Sequence, residues 1–459
     1  MLQRLFYDKL LAWKQRRSRK AMLVAGARQT GKTSLIRKFG MEQYACLAEI
    51  NFIETPRAAD IFRGDLDANS ITAGITALLG RPLEPGNTLV FLDEIQECPE
   101  ARTAIKFLVE DGRFDYIESG SLLGVNSREA RSYPVGFEEM ERMYPMNLEE
   151  FALANGVQPE ILALLRQSFA EGTPVAPAVH EAMLRLFRLY MIVGGMPAVV
   201  QEFVNSHDLG SVARLQREIL SAYRLDIAKY SERSKDKIRD IFDRIPSQLD
   251  DKNRRFMLSA IKSTARLQRY EESFVWLRDA GVALPCYNVS SPTLPLRLNE
   301  QRTLFKLFLS DTGLLCAAGM DNVQPAILNG DLSVNEGSIL ENSFAQSFAE
   351  KGFPLHYFTK QRYGEVDFIL SFQNRCLPVE IKSGRSYKSH AALDNILQVS
   401  EWDIREAWVF CMGNVERVGK VLYLPWYMAM FMEHAPAAAP GFSVDLSVLT
   451  QPGKSGSMG

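Results

Sequence analysis

Gly26-Ala-Arg-Gln-Thr-Gly31-Lys32-Thr33 is the stretch on which the reading of this chain turns. It follows the apolar run Ala21-Met-Leu-Val-Ala25 and precedes Ser34-Leu-Ile-Arg-Lys-Phe39, so the local order is strand, glycine loop, helix. That context suits a phosphate cradle. The glycines let backbone N–H groups turn inward, and the helix N-terminus adds positive potential. Lys32 is long enough to reach the β and γ oxygens, and the Thr33 hydroxyl is a ligand for Mg²⁺. The residues expected to touch nucleotide are Gly26, Ala27, Arg28, Gln29, Thr30, Gly31, Lys32, Thr33 and Ser34. ATP and Mg²⁺ are the expected ligand and cofactor.

About 60 residues on, Thr88-Leu-Val-Phe-Leu-Asp93-Glu94 is a buried parallel strand that delivers two carboxylates at its C-terminal end. The pattern predicts Asp93 in the Mg²⁺ shell and Glu94 as the group that orients and deprotonates the attacking water. A further strand, Phe114-Asp-Tyr-Ile-Glu-Ser119-Gly-Ser121, ends in small hydroxyl residues. In an open parallel sheet that end also faces the ligand, so Ser119 or Ser121 is placed to sense the γ-phosphate.

At 459 residues the chain exceeds one ordinary core, which predicts about three domains. A net charge of -2 gives no global pull on polyanions, so any nucleic-acid surface has to be local. The six cysteines are scattered without a CxxC pair, which argues against zinc and suits a reducing cytoplasm. The first residues lack the apolar core of a signal peptide. The longest uncharged apolar run, Val421 to Met432, is too short to span a bilayer and suits the end of a buried domain.

The expected organisation is an α/β multidomain chain. Residues 1–155 form the first unit, with 1–20 reading as a helix that ends in a basic cluster and 21–155 alternating apolar runs with amphipathic stretches, as in a parallel sheet covered by helices. Residues 156–230 carry 3.6-residue periodicity, broken at Gly194-Gly195-Met196-Pro197, and predict a helical subdomain. Between 231 and 310, helices over 235–245, 254–262 and 270–280 precede a hairpin of 282–289 and 304–309, a winged-helix pattern. Glu271, Glu272 and Asp279 make its third helix more acidic than a DNA-reading helix should be. Residues 311–432 form a third α/β unit, and the composition of 433–459 predicts disorder.

Several stretches resemble the prokaryotic AAA-type ATPase family whose members carry a C-terminal domain of unknown function. They are Ala27-Arg28-Gln29-Thr-Gly31-Lys32-Thr33, Phe91-Leu-Asp93-Glu94-Ile-Gln96-Glu97, Ser119-Gly-Ser-Leu-Leu123, Pro145-Met-Asn-Leu-Glu-Glu-Phe151, Gly194-Gly-Met-Pro197 and Phe308-Leu-Ser-Asp311-Thr-Gly313-Leu-Leu315. The resemblance spans residues 1–430 and implies an ATP-binding AAA core. Where many relatives have a Gly-Arg step, this chain reads Arg131-Ser-Tyr-Pro-Val-Gly136. AAA proteins commonly take an arginine from a neighbouring subunit. Arg128, Arg131 and Arg142 are the substitutes available here, and self-association or a partner protein is implied.

The C-terminal unit holds a second candidate centre. Glu341 lies on a predicted helix, Asp367 begins a strand, and Glu380 and Lys382 are two apart on the next strand, on one face. This order resembles the PD-(D/E)xK nucleases and a restriction-endonuclease-like fold. In such a centre Asp367 and Glu380 would hold Mg²⁺, Lys382 would position water, and Glu341 would add a carboxylate. The expected function is an ATPase coupled to a DNA-directed C-terminal half. The alternative is a nucleotide-switched regulator or protein-interaction platform without nuclease activity.

Overall fold

The computed structural model describes residues 2–16, 20–121, 134–230, 235–250, 255–257, 270–319, 327–328 and 336–434. Its N-terminal part runs α1 (Phe6–Gln15), β1 (Ala21–Ala25), α2 (Lys32–Gln43), β2 (Cys46–Asn51), α3 (Ala68–Leu79), β3 (Thr88–Asp93), α4 (Pro99–Asp111), β4 (Asp115–Gly120) and β5 (Glu138–Arg142). The strands form one parallel sheet in the order β2-β3-β4-β1-β5. Every residue of β1 and β3 is buried, which is why Ala21–Ala25 and Leu89–Leu92 read as unbroken apolar runs. Phe6, Leu10, Leu35 and Phe39 of α1 and α2 cover one face. Ile71, Ile75, Ile105 and Leu108 of α3 and α4 cover the other.

Helices follow: α5 (Leu148–Ala154), α6 (Pro159–Glu171), α7 (Pro177–Val193), α8 (Pro197–Ser206), α9 (Leu209–Tyr230), α10 (Lys235–Asp250) and α11 (Glu271–Asp279). Asn147 and Glu150 close a reciprocal capping box at the start of α5. The remainder is β6 (Ala283–Val289), β7 (Glu300–Leu309), α12 (Thr312–Gly319), α13 (Glu336–Glu350), β8 (His356–Lys360), β9 (Gly364–Val366), β10 (Phe368–Phe372), β11 (Arg375–Ile381), α14 (Ala391–Leu397), β12 (Ala407–Cys411), β13 (Glu416–Val418) and β14 (Val421–Pro425).

These last strands make two sheets, β7-β6-β8-β9 and the mixed β10-β11-β12-β14-β13. Period-2 alternation divides the second sheet between two cores. Trp408 and Phe410 of β12 pack with Phe344 and Phe348 of α13, whereas Val409 and Cys411 pack with Leu393 and Ile396 of α14.

Three expectations change. The hairpin anticipated as a wing exists as β6–β7, but β6 also pairs in parallel with β8, Tyr287 against His356. Unfilled backbone valences on β6 are satisfied by the C-terminal unit, so the hairpin belongs to a four-stranded sheet. Of the helix expected over 254–262, residues 255–257 are described and are not helical. The boundaries expected at 230 and 310 do not separate cores either, since one buried apolar cluster runs from Met146 to Met432. The apolar run 421–432 is β14 followed by a buried 3-10 turn, Trp426–Phe431. Among the described residues no helix is long and apolar enough to cross a membrane. Residues 435–459 of the tail expected to be disordered lie outside the described residues.

Candidate functional site

Strand order assembles the site. Because β4 lies between β1 and β3, Ser119 sits between the glycine loop and Asp93 at the C-terminal edge of the sheet. Asp93 is 1% exposed, and three side chains donate to its carboxylate. Thr33 Oγ1 lies 3.1 Å from Oδ2, Asn51 Nδ2 lies 2.9 Å from Oδ2, and the Ser119 hydroxyl donates to Oδ1. Asn51 ends β2, directly beside Asp93 in the register of the sheet. It was missed in the sequence, although β2 is the neighbour of β3 in the sheet. Glu94 follows in the left-handed region at φ 55°, and Gln96 Nε2 donates to its carboxylate.

The loop itself needs left-handed backbone at Gln29 (φ 64°) and Gly31 (φ 88°). A Cβ at Gly26 would stand 2.3 Å from the Met143 carbonyl oxygen, so only glycine fits there. Lys32 Nζ donates to the Gly26 and Ala27 carbonyls at 3.1 and 2.9 Å. Burial pushes its pKa down to about 8, against the opposing pull of Glu94 and Asp93. Lys32, Thr33, Asp93, Glu94 and Ser119 are thus one group, while Ser34 is exposed on the first turn of α2.

The residues present fit an Mg²⁺–nucleotide. Thr33 and Asp93 offer a hydroxyl and a carboxylate 3.1 Å apart beside the glycine loop, the donor set such an ion takes from protein when phosphates supply the rest. When bound, the ion supplies charge neutralisation of the phosphates.

Other elements close on the loop from outside. Arg4 Nη1 donates to the Thr30 carbonyl at 2.8 Å, while its Nε pairs with Glu150 at 3.0 Å. On α9, the Tyr223 hydroxyl donates to the Arg28 carbonyl at 3.1 Å, and Asp226 pairs with the Arg28 guanidinium at 2.8 Å. A Cβ at Gly281, after α11, would lie 3.1 Å from the Ala27 nitrogen. Ser121 lines a small cavity with Arg28, Tyr223, Asp226 and Trp276. Of the arginines weighed as finger substitutes, Arg142 lies over the Tyr144 ring and reaches the Arg278 carbonyl at 3.4 Å. Arg128 and Arg131 lie outside the described residues.

In the C-terminal half, Glu365, Asp367, Glu380 and Lys382 line an open cleft of about 620 Å³ with Arg255 and Lys360. Lys382 Nζ pairs with Glu380 at 2.7 Å, and Asp367 accepts the Ile381 N–H at 2.8 Å. Behind them stands a residue the sequence did not single out. Lys306 on β7, 0% exposed, lies 2.7 Å from Glu341 and 2.8 Å from Glu365. Burial opposes its charge, but Glu341, Glu365 and Asp367 outweigh burial and hold its pKa above the ordinary lysine value. Among the described residues no group of three or more His, Cys, Asp or Glu is arranged to hold a metal ion.

Residues 18–152 match the model of an AAA domain family. Residues 184–324 and 336–427 match two domains of unknown function, DUF8612 and DUF4143. Together with the sheet and site above, the first match makes the N-terminal part a P-loop domain of the AAA type. Among solved structures, the Walker-type ATPase paby2304 of Pyrococcus abyssi is similar at 13% identity and a TM-score of 0.41, over 69% of this chain and 96% of that one. The Aeropyrum pernix ORC1 protein, solved in complex with DNA, is similar at 13% identity and a TM-score of 0.28, over 71% and 90%. Cdc6p from Pyrobaculum aerophilum is similar at 12% identity and a TM-score of 0.25, over 71% and 94%. Likeness at this level says nothing of what the chain acts on. A comparison with curated proteins finds no match.

Proposed function

We propose that this chain binds ATP and is an Mg²⁺-dependent ATPase that couples its nucleotide state to a DNA-directed C-terminal half. The observation that carries the first part is the convergence of Lys32, Thr33, Asp93, Glu94 and Ser119 at one sheet edge. In this reading the loop amides and Lys32 hold the phosphates, Thr33 and Asp93 hold the ion, and Glu94 takes the proton from the attacking water. Ser119, already bonded to Asp93, registers whether the γ-phosphate is present. Coupling is supported by the contacts of Tyr223, Asp226 and Gly281 with the loop. The DNA-directed part rests on the open cleft of the C-terminal half, where Arg255, Lys360 and Lys382 stand beside Glu365, Asp367 and Glu380, so any phosphate contact there is local rather than a broad basic face. A reducing cytoplasm is the compartment proposed, in keeping with six cysteines that form no disulfide.

A second reading is a nucleotide-switched regulator or interaction platform, favoured by the exposed Glu271 and Glu272 on α11. One experiment separates them. ATP turnover is measured for wild type, Lys32→Ala and Glu94→Gln, with and without double-stranded, single-stranded and branched DNA. Lys32→Ala should lose ATP binding, and Glu94→Gln should bind ATP but lose DNA-stimulated turnover by roughly 100-fold or more. ATP binding with no DNA affinity and no stimulation would leave only the second reading.

A further inference from the structure

The resemblance to metal-dependent nucleases implies a divalent cation among Glu341, Asp367 and Glu380, and the residues present do not fit one. Lys306 reaches the cluster from β7, which the wing expectation had assigned to another unit. Its ammonium is fully buried, 2.7 Å from Glu341 and 2.8 Å from Glu365, and both contacts have charge-assisted hydrogen-bond length. The carboxylates nearer the cleft are engaged as well, Glu380 by Lys382 and Asp367 by the Ile381 N–H. Four acids (Glu341, Glu365, Asp367, Glu380) therefore stand with four bases (Lys306, Lys382, Arg255, Lys360).

A divalent ion among them would meet a buried ammonium that cannot move out to solvent, where low dielectric leaves the repulsion poorly screened. Mg²⁺ also demands an octahedral shell of oxygens. One oxygen, Glu380 Oε2, is buried without a hydrogen-bond partner. The other oxygen of that carboxyl, Oε1, is already held by the Lys382 ammonium at 2.7 Å.

We infer that Lys306 stands where a divalent cation would, so that the carboxylate cluster of the C-terminal half is complete without metal. The inference is independent of the ATPase reading, because the full chain is tested free of nucleotide. Mn²⁺ binding is followed by electron paramagnetic resonance for wild type, Asp367→Asn, Lys306→Met and the Lys306→Met/Asp367→Asn double variant. Wild type and Asp367→Asn should bind the same number of ions. Lys306→Met should gain one equivalent, and adding Asp367→Asn should remove it. An ion in wild type that Asp367→Asn abolishes would overturn the inference, as would a folded Lys306→Met chain that gains none. Should Lys306→Met fail to fold, wild type against Asp367→Asn decides by itself. Plasmid DNA should stay uncut with Mn²⁺. Cleavage that requires Mn²⁺ and is lost in both Asp367→Ala and Lys382→Ala would also overturn it.

Discussion

Lys32 spends its ammonium on the carbonyls of its own loop, and burial brings its pKa down to about 8. Phosphates require the protonated form, and a polyanion at hydrogen-bond distance raises the pKa again. Nucleotide binding should therefore take up a proton wherever the free lysine is partly neutral. ATP affinity is expected to fall as pH rises through about 8, approaching tenfold per pH unit well above it. Calorimetry in buffers of different ionisation enthalpy reads this directly, as proton uptake near pH 9 that vanishes near pH 6. Affinity that stays flat over that range would mean Lys32 does not carry the linkage. At this scale the sequence is a good guide, because loop, lysine and hydroxyl are adjacent in the chain. Asn51 and Arg4 escaped notice because their contacts with Asp93 and Thr30 exist only once distant segments pack.

Helix α9 is the element that brings the middle of the chain to the nucleotide loop. Tyr223 and Asp226 are three residues apart, so they share one face, and that face meets Arg28. A phosphate near the loop competes with Asp226 for the same guanidinium. The pair is partly exposed on the Arg28 side, so its net strength is modest. Asp226→Asn should tighten ATP binding about threefold to tenfold and shrink the ATP-induced change in tryptophan fluorescence, since Trp276 lines the same small cavity. A fluorescent ATP analogue and intrinsic emission measure the two effects. Unchanged affinity and unchanged emission would uncouple α9 from the nucleotide. The periodicity of α9 was legible in the sequence, but its target was not, since an apolar stripe tells only that a face is buried.

Across the whole molecule, Asp311 joins the helical part to the C-terminal half. Its carboxylate accepts the Gly195 N–H at 2.6 Å and the Leu314 N–H at 2.9 Å. A Cβ at Gly194 would stand 2.3 Å from Asp311 Oδ1, and one at Gly313 would stand 2.4 Å from the Val193 carbonyl oxygen. The Gly-Gly-Met-Pro break, legible as a helix stop, is therefore also the crossing of α7 and α12. Gln346 extends the junction by accepting from the Thr312 N–H and donating to the Tyr190 hydroxyl. Burial raises the Asp311 pKa to about 6, against the backbone N–H groups that hold its charged form. The folded state then binds a proton more tightly than the unfolded chain, so this group's contribution to stability falls as pH rises from about 4 to about 6. The drop is roughly 3 kcal/mol if fully expressed. Urea unfolding at several pH values should show that slope in wild type and lose it in Asp311→Asn. The same variant should cost about 1–3 kcal/mol at neutral pH, because its amide turns one N–H toward another. A slope that survives in Asp311→Asn would assign it to other groups.

By itself the sequence determined the chemistry that lives on short, contiguous segments. The glycine loop, the carboxylates at the end of β3 and the hydroxyls at the end of β4 are set by strand period and local turn geometry. They met at one edge because parallel strands present their C-terminal ends together. Only the tertiary structure decided the rest, because those contacts join residues with no local signal between them. The α9 face meets a loop nearly 200 residues earlier, the expected wing is shared with β8, and Lys306 on β7 meets carboxylates on β9 and α13. A buried lysine looks like a surface lysine in a sequence. What distinguishes it is the pair of carboxylates that folding brings to within 3 Å, which with Asp367 offset the cost of burying its charge.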